Sequence, residues 1–155
     1  MPARTLTIRY ADLTEQELSL TERRVCDAAR AAVEGAYAPY SRFRVGAAAL
    51  LGDGALVASS NLENAAYPQC LCAEATLLGA LHSQRPGEAI ELLAVAARDA
   101  SGAWARAAPC GSCRQQLLEA EGRQGGGFPL LLAYAGGRAL RFPSVGALLP
   151  MGFAM

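Results

Sequence analysis

A single histidine, His82, is all the imidazole this 155-residue chain contains. It reads as a surface or satisfied side chain, so neither a Ser-His nor a Cys-His nucleophilic pair is available. No block of Lys or Arg occurs, and the formal net charge is zero. A nucleic-acid backbone is gripped by clustered positive charge, so no nucleic-acid partner is expected. The start, Met1-Pro2-Ala3-Arg4, carries no apolar h-region, and no apolar run approaches membrane length. Neither a signal peptide nor a membrane partner is expected. Charged residues make up only 18% against 52% hydrophobic, which excludes disorder and suits a compact or oligomeric protein. There are five cysteines, an odd number, in a chain without a signal; they read as reduced thiols or metal ligands, and the expected location is cytoplasmic.

With no internal repeat and no interdomain linker, residues 1–155 are expected to form one domain. Residues 1–13 form an N-terminal extension whose role the sequence does not assign. Thr14-Glu15-Gln16-Glu17 is a capping box that opens an apolar helical stripe through Leu18, Val25, Ala28, Ala29, Ala32 and Val33, ending near Glu34-Gly35. Apolar runs 44–51 and 55–60, separated by Gly52-Asp53-Gly54, predict a β-hairpin. A polar loop follows over 61–71, then a helix from Cys72 that stops at Arg85-Pro86-Gly87. The apolar run 92–97 predicts a strand buried on both faces. After a loop over 98–108, Pro109 leads into another helix, and Gly136-Gly137 turns a second hairpin between 130–135 and 138–142. A last short helix is predicted over 144–149. The order α-ββ-α-β-α-ββ predicts an α/β fold, a three-layer α/β/α sandwich around a mixed sheet of about five strands.

The chemistry concentrates in Cys72-Ala73-Glu74 and Pro109-Cys110-Gly111-Ser112-Cys113. The Cys-x-x-Cys pair can put two thiolates on one metal and Cys72 supplies a third, leaving the fourth tetrahedral position for water, as a catalytic zinc requires. Glu74 would stand beside that position without being a ligand. Cys-x-Glu followed by Pro-Cys-x-x-Cys is the grammar of zinc deaminases, with the Glu as general acid/base. Helix N-termini at the three cysteines would favour thiolate over thiol. Blander readings compete. Cys-Gly-Ser-Cys also fits a redox pair. A closed structural zinc would need a fourth ligand, but Cys70 points away from Cys72 in extended backbone, and His82 lies about 15 Å along the helix. Cys26 and Cys70 read as buried small apolar residues.

Further segments carry a resemblance. They are 36–47 (Ala-Tyr-Ala-Pro-Tyr-Ser-Arg-Phe-Arg-Val-Gly-Ala), 61–67 (Asn-Leu-Glu-Asn-Ala-Ala-Tyr), Cys72-Ala73-Glu74, Pro109 to Gln115, and Leu148-Leu149-Pro150. From about residue 20 to the C-terminus the chain resembles the small homotetrameric cytidine deaminases. The resemblance implies zinc-dependent hydrolysis of cytidine and 2′-deoxycytidine to the uridine nucleosides and ammonia, in pyrimidine salvage. It implies one Zn²⁺ per subunit on Cys72, Cys110 and Cys113, and Glu74 as the catalytic acid/base.

It further implies a nucleoside substrate held by Phe43, Asn61, Glu63, Ala65, Tyr67, Ala73 and Phe153. Asn61 and Glu63 would hold the ribose 3′-hydroxyl. Phe43 would pack on the pyrimidine, although ordinary core is also open to it. Tyr67 and Phe153 would reach sites of neighbouring subunits, in a homotetramer. One departure stands out: the family usually has Arg directly after the catalytic Glu, and here that residue is Ala75. The usual Arg is thought to offset the negative charge of three thiolates on zinc. Either Arg114 and the helix N-termini suffice, or another group substitutes, or the substrate differs, as in blasticidin S deaminases. A zinc-stabilised binding domain, a redox protein and a nucleic-acid-editing enzyme are the remaining alternatives.

Overall fold

The computed structural model describes residues 3–153. The first two and last two residues of the expected single domain lie outside the described residues. One mixed sheet organises the rest. Its strands are β1 (Ala11–Leu13), β2 (Arg44–Leu51), β3 (Leu56–Ser60), β4 (Ile90–Arg98), β5 (Trp104–Ala105), β6 (Leu130–Ala133) and β7 (Ala139–Phe142). The order across the sheet is β1-β7-β6-β4-β2-β3, with β5 paired to β4. Among the strands of the described residues, only β4 and β6 pair in parallel. The chain between them crosses over through a helix, as parallel neighbours require.

The helices are α1 (Leu20–Ala32), α2 (Ala73–Gln84) and α3 (Gly111–Gln124). Alternation along β2 and β4 divides the core. Ala47, Ala49, Leu51, Leu93 and Val95 pack with Leu77 and Leu81 of α2 and Leu117 of α3. Ala48, Leu50, Leu92, Ala94 and Ala96 pack with Val25, Cys26 and Ala29 of α1. The expected three-layer α/β/α sandwich is therefore present. Both faces of the central strands are covered, which is why β4 reads as an unbroken apolar run. Small alanines on β2 allow α1 to approach closely. At Gly46 the approach is tightest: a Cβ there would overlap the Ala29 carbonyl oxygen and stand 2.7 Å from the Val33 nitrogen.

Three expectations need correction. The sheet has seven strands among the described residues rather than about five. The two additional ones are β1, three residues paired with β7, and β5, two residues folded back on β4. Each is shorter than the alternation needed to announce a strand. The first helix begins at Leu20, not in the Thr14 box. Ser19 caps it and Glu22 closes a reciprocal capping box there. The Thr14–Glu17 pair closes a single turn ahead of it, with Thr14 N–H and Oγ1 both donating to Glu17 Oε2. The final short helix is a 3-10 turn over Val145–Leu148. Among the described residues, no helix is long and apolar enough to cross a membrane.

Candidate active site

Two helix N-termini meet beside the end of the sheet. Cys72 is the N-cap of α2 and Cys110 the N-cap of α3, and neither side chain caps its own helix. Cys113 follows in the first turn of α3, buried. Pro109 immediately precedes the α3 cap, where its fixed φ and missing N–H cost nothing. The crossover from α2 through β4 and the β5 turn thus returns the chain next to Cys72.

The three sulfurs lie within 4.8 Å of one another, and Cys72 Sγ is 3.9 Å from Cys110 Sγ. Thiolates on a tetrahedral zinc, with bonds of about 2.3 Å, stand about 3.8 Å apart. The Cys72–Cys110 pair stands at that spacing and the third sulfur is close by, so the cluster suits that ion. Cys70 and His82 take no part in the cluster. A thiol contact from Cys113 draws Cys72 down to about 6, against the opposing effects of burial and Glu74. Cys113, tied to the same proton and partly desolvated, is held up as a thiol. A divalent cation between the sulfurs removes the cost of ionising all of them.

Glu74 is 4% exposed, in the first turn of α2. Burial pushes its carboxyl above the ordinary range, partly opposed by its own backbone amide and by Cys113. A carboxyl held there can both take and give a proton nearer neutrality than a solvated one.

A cleft of about 390 Å³ opens over the cluster. Cys72, Cys110, Glu74 and Ala73 form its floor, and Phe43, Asn61 and Glu63 stand on its wall. Ser41, Val45, Leu71, Ala107 and Ala108 also line it and were not singled out from the sequence. Ser41 and Val45 carried a signal, since both lie in the 36–47 segment. The two alanines sit in a plain loop and carried none.

The polar wall residues are already working for the backbone. Asn61 Oδ1 accepts from Val45 N–H at 2.8 Å, and Asn61 Nδ2 donates to the Phe43 carbonyl at 3.0 Å. Glu63 accepts from Ser41 Oγ and from the N–H groups of Tyr40 and Ser41. These bonds, that from the Ser41 hydroxyl first, keep the Glu63 carboxyl below its usual range. Together the two side chains fix the 40–45 loop and hence Phe43, which is half-buried at the cleft.

Tyr67, Ala65 and Phe153 are not in this cleft. Tyr67 lines a neighbouring hollow with Tyr40, Ser41, Glu63 and Cys70, and its ring meets Tyr40 edge-on at 6.0 Å. Ala65 is exposed on the same loop. Phe153 is 69% exposed. Cys70 departs from expectation. It is exposed rather than buried: its sulfur accepts from Asn64 N–H at 3.2 Å, and the residue lines both the cleft and the neighbouring hollow. Cys26 is buried as expected. Arg114 turns its guanidinium to the carbonyls of Pro109 (2.8 Å) and Leu148 (2.9 Å). The guanidinium thus stands beside the Cys110 turn, bonded to backbone, and adds its charge to the partial positive charge of the two helix N-termini.

Comparison with known proteins agrees with this geometry. The model of the cytidine and deoxycytidylate deaminase zinc-binding region matches residues 20–124. A cytidine deaminase of Mycobacterium tuberculosis is 45% identical over 124 residues, covering 80% of this chain and 83% of the relative. The crystal structure of cytidine deaminase from Burkholderia pseudomallei superposes with a TM-score of 0.72 at 40% identity, covering 86% of this chain and all of that one. The Mycobacterium tuberculosis crystal structure superposes with a TM-score of 0.66 at 39% identity, covering 88% and 100%.

Proposed function

Because the chain belongs to the cytidine and deoxycytidylate deaminase family, we propose that it hydrolyses cytidine and 2′-deoxycytidine to the uridine nucleosides and ammonia, as a step of pyrimidine salvage in the cytoplasm. The observation that carries this reading is the pairing of a zinc-sized sulfur triangle with a buried carboxyl, Glu74, on the floor of one cleft. Cys72, Cys110 and Cys113 would hold one zinc per chain. Bound there, the zinc would supply a Lewis acid that brings the pKa of water toward about 7.

Glu74 handles the protons. Its carboxylate takes one from the attacking water and passes it to ring N3 as C4 becomes tetrahedral. A second transfer protonates the departing amine, so that water and cytidine leave as uridine and ammonia. Phe43 packs on the base, and the apolar wall of Val45, Ala107 and Ala108 excludes bulk water. The amide N–H of Ala73, in the first turn of α2, helps orient the base.

Asn61 and Glu63 bind the ribose 3′-hydroxyl without surrendering the loop. Asn61 keeps one N–H and one lone pair beyond its two backbone bonds, and a carboxylate has acceptor sites to spare. Ala65, exposed on the loop of Asn61 and Glu63, contributes to substrate binding. Tyr67, well exposed beside the cleft, and Phe153, exposed away from it, complete sites of neighbouring subunits in a homotetramer. Residues 1–155 act as one domain.

The test is loss of the cytosine absorbance band with cytidine and deoxycytidine, for wild type and Glu74→Gln, with metal content measured on both. Turnover by wild type with about one zinc per chain, and its loss by at least a thousandfold in a Glu74→Gln protein that keeps zinc, is expected on the order of what proton transfer and charge stabilisation together contribute. Full turnover by zinc-loaded Glu74→Gln refutes the assigned role. Zinc without turnover on either nucleoside turns the reading toward blasticidin S and modified cytosines, for which Ala75 is the motivating departure.

A further inference from the structure

The C-terminal turn is held more firmly than an exposed tail needs. Met151 adopts φ 58°, in the left-handed region that a side chain of its kind rarely enters. Gly152 presses so closely on α3 that a Cβ there would overlap the Leu118 side chain and stand 3.2 Å from Leu149 Cγ. Phe153 is then locked at both of its backbone groups. Its N–H donates to Gln115 Oε1 at 3.1 Å, and its carbonyl accepts from Gln115 Nε2 at 2.8 Å. The preceding residue, Arg114, bonds the Leu148 carbonyl at the other end of the same turn. Two consecutive side chains immediately after Cys113 thus grip both ends of the tail.

What they hold is an exposed ring. Phe153 borders no part of the cleft of its own chain, and 69% of it faces solvent. A strained turn and a fully committed amide contribute little to stability when spent on one exposed residue, since solvent competes for such bonds. They do contribute direction. A tail ordered in advance avoids the entropy of ordering it at each binding event.

We infer that Gln115 is a positioning residue: through Phe153 it fixes the aromatic face that a second copy of this chain receives over its cytosine base. The helix carrying Cys110 and Cys113 in one subunit thereby sets a substrate contact in its neighbour. This rests on the reading above that Phe153 completes a neighbouring site.

Gln115→Met keeps the length and apolar stem of the side chain and loses both bonds, whereas Gln115→Glu keeps the acceptor for the Phe153 N–H. Steady-state kinetics with cytidine are measured for wild type, both variants, Phe153→Ala, and Gln115→Met combined with Phe153→Ala. Zinc content, melting temperature and amide exchange of the C-terminal peptide are followed alongside. The expected result is a KM raised about tenfold in Gln115→Met, the scale of ordering one residue at binding, with kcat within about twofold. Gln115→Glu falls between, Phe153 exchanges faster in Gln115→Met, and Gln115→Met adds nothing once Phe153 is alanine.

An unchanged KM in Gln115→Met, or an equal rise on the Phe153→Ala background, overturns the inference, as does undiminished protection of Phe153. If Gln115→Met does not fold, Gln115→Glu decides by the same measures. A wild type that turns over no cytidine sinks the deaminase reading and this with it. Normal wild-type turnover with a silent Gln115→Met sinks this inference alone.

Discussion

Replacing Glu121 by alanine should cost more than any other single polar change outside the active site. Glu121 lies on the inner face of α3 and is 6% exposed. Its Oε1 accepts from the N–H groups of Phe128 (3.2 Å) and Val145 (2.9 Å), and its Oε2 from Ser144 Oγ (2.8 Å). One carboxylate therefore joins α3 to the entry of β6 and to the 3-10 turn that leads into the C-terminal tail. Alanine would orphan two buried amides, at about 1–3 kcal/mol each, and leave the volume of the side chain empty. The sum is about 3–5 kcal/mol, a large part of the 5–15 kcal/mol typical of a domain. In a chain of this size that lowers the melting temperature by about 10 °C. Glutamine is the informative control. Its Oε1 can still accept from both amides while its Nε2 donates to Ser144 Oγ, so the loss should stay within about 1 kcal/mol. Thermal and urea unfolding at one protein concentration measure both variants. If alanine costs less than about 1 kcal/mol, or glutamine costs as much as alanine, the accounting of orphaned amides is wrong.

Thiol labelling reads the metal cluster without any assay of turnover. Burial pushes the Cys26 thiol up to about 12, so it should resist alkylation at pH 8 in the native protein, while the exposed Cys70 is modified. With zinc bound, Cys72 and Cys110 should be protected, and a chelator should release both. Mass spectrometry that found Cys26 labelled in the folded state, or Cys72 and Cys110 indifferent to the chelator, would contradict the arrangement. A pH titration tests the wall of the cleft. The Ser41 hydroxyl, followed by the Tyr40 and Ser41 amides, holds Glu63 below 4.5 in the folded chain. A carboxyl depressed on folding stabilises above its unfolded value and loses that contribution as pH falls through the folded one. Amide protection at Tyr40 and Ser41 should therefore persist to about pH 4.5 and fade below it, and Glu63→Gln should remove the dependence. Protection already lost above pH 5 would refute the bonding scheme.

The parts of the molecule legible in the sequence are those where chemistry or turn geometry admits few residue types. Gly52-Asp53-Gly54 and Gly136-Gly137 announced the two hairpins because tight turns need positive φ, which Gly54, Gly136 and Gly137 indeed adopt. The sulfur triangle was legible because thiolates at fixed spacing serve few purposes other than metal binding. Elements set by distant partners were not. Strand β1 exists because Ala11, Asp12 and Leu13 find Arg141, Leu140 and Ala139, a pairing that three residues cannot advertise. The helix start was ambiguous for another reason: Thr14–Glu17 and Ser19–Glu22 are both valid capping boxes, and only packing selects Ser19, by burying Leu18 ahead of it and leaving Leu20 outside.

The same logic explains why Glu121 went unremarked and Gln115 appeared only as the end of the Pro109–Gln115 segment, without a role, while Asn61 and Glu63 stood out. All four are ordinary polar side chains bonded to backbone N–H or carbonyl groups. Asn61 and Glu63 bind the loop that carries Phe43 and also line the cleft, so each has polar atoms for the chain and for a ligand at once. Glu121 and Gln115 bind segments 7 to 38 residues away that take no part in lining the cleft over the sulfurs. A sequence pattern records the residue type that a ligand demands, but not the amide that a fold demands, because any acceptor of suitable reach can meet the latter. Positioning residues of this second kind are consequently found by following backbone hydrogen bonds outward from the metal ligands, which is how α3 connects Cys113 to the C-terminal ring.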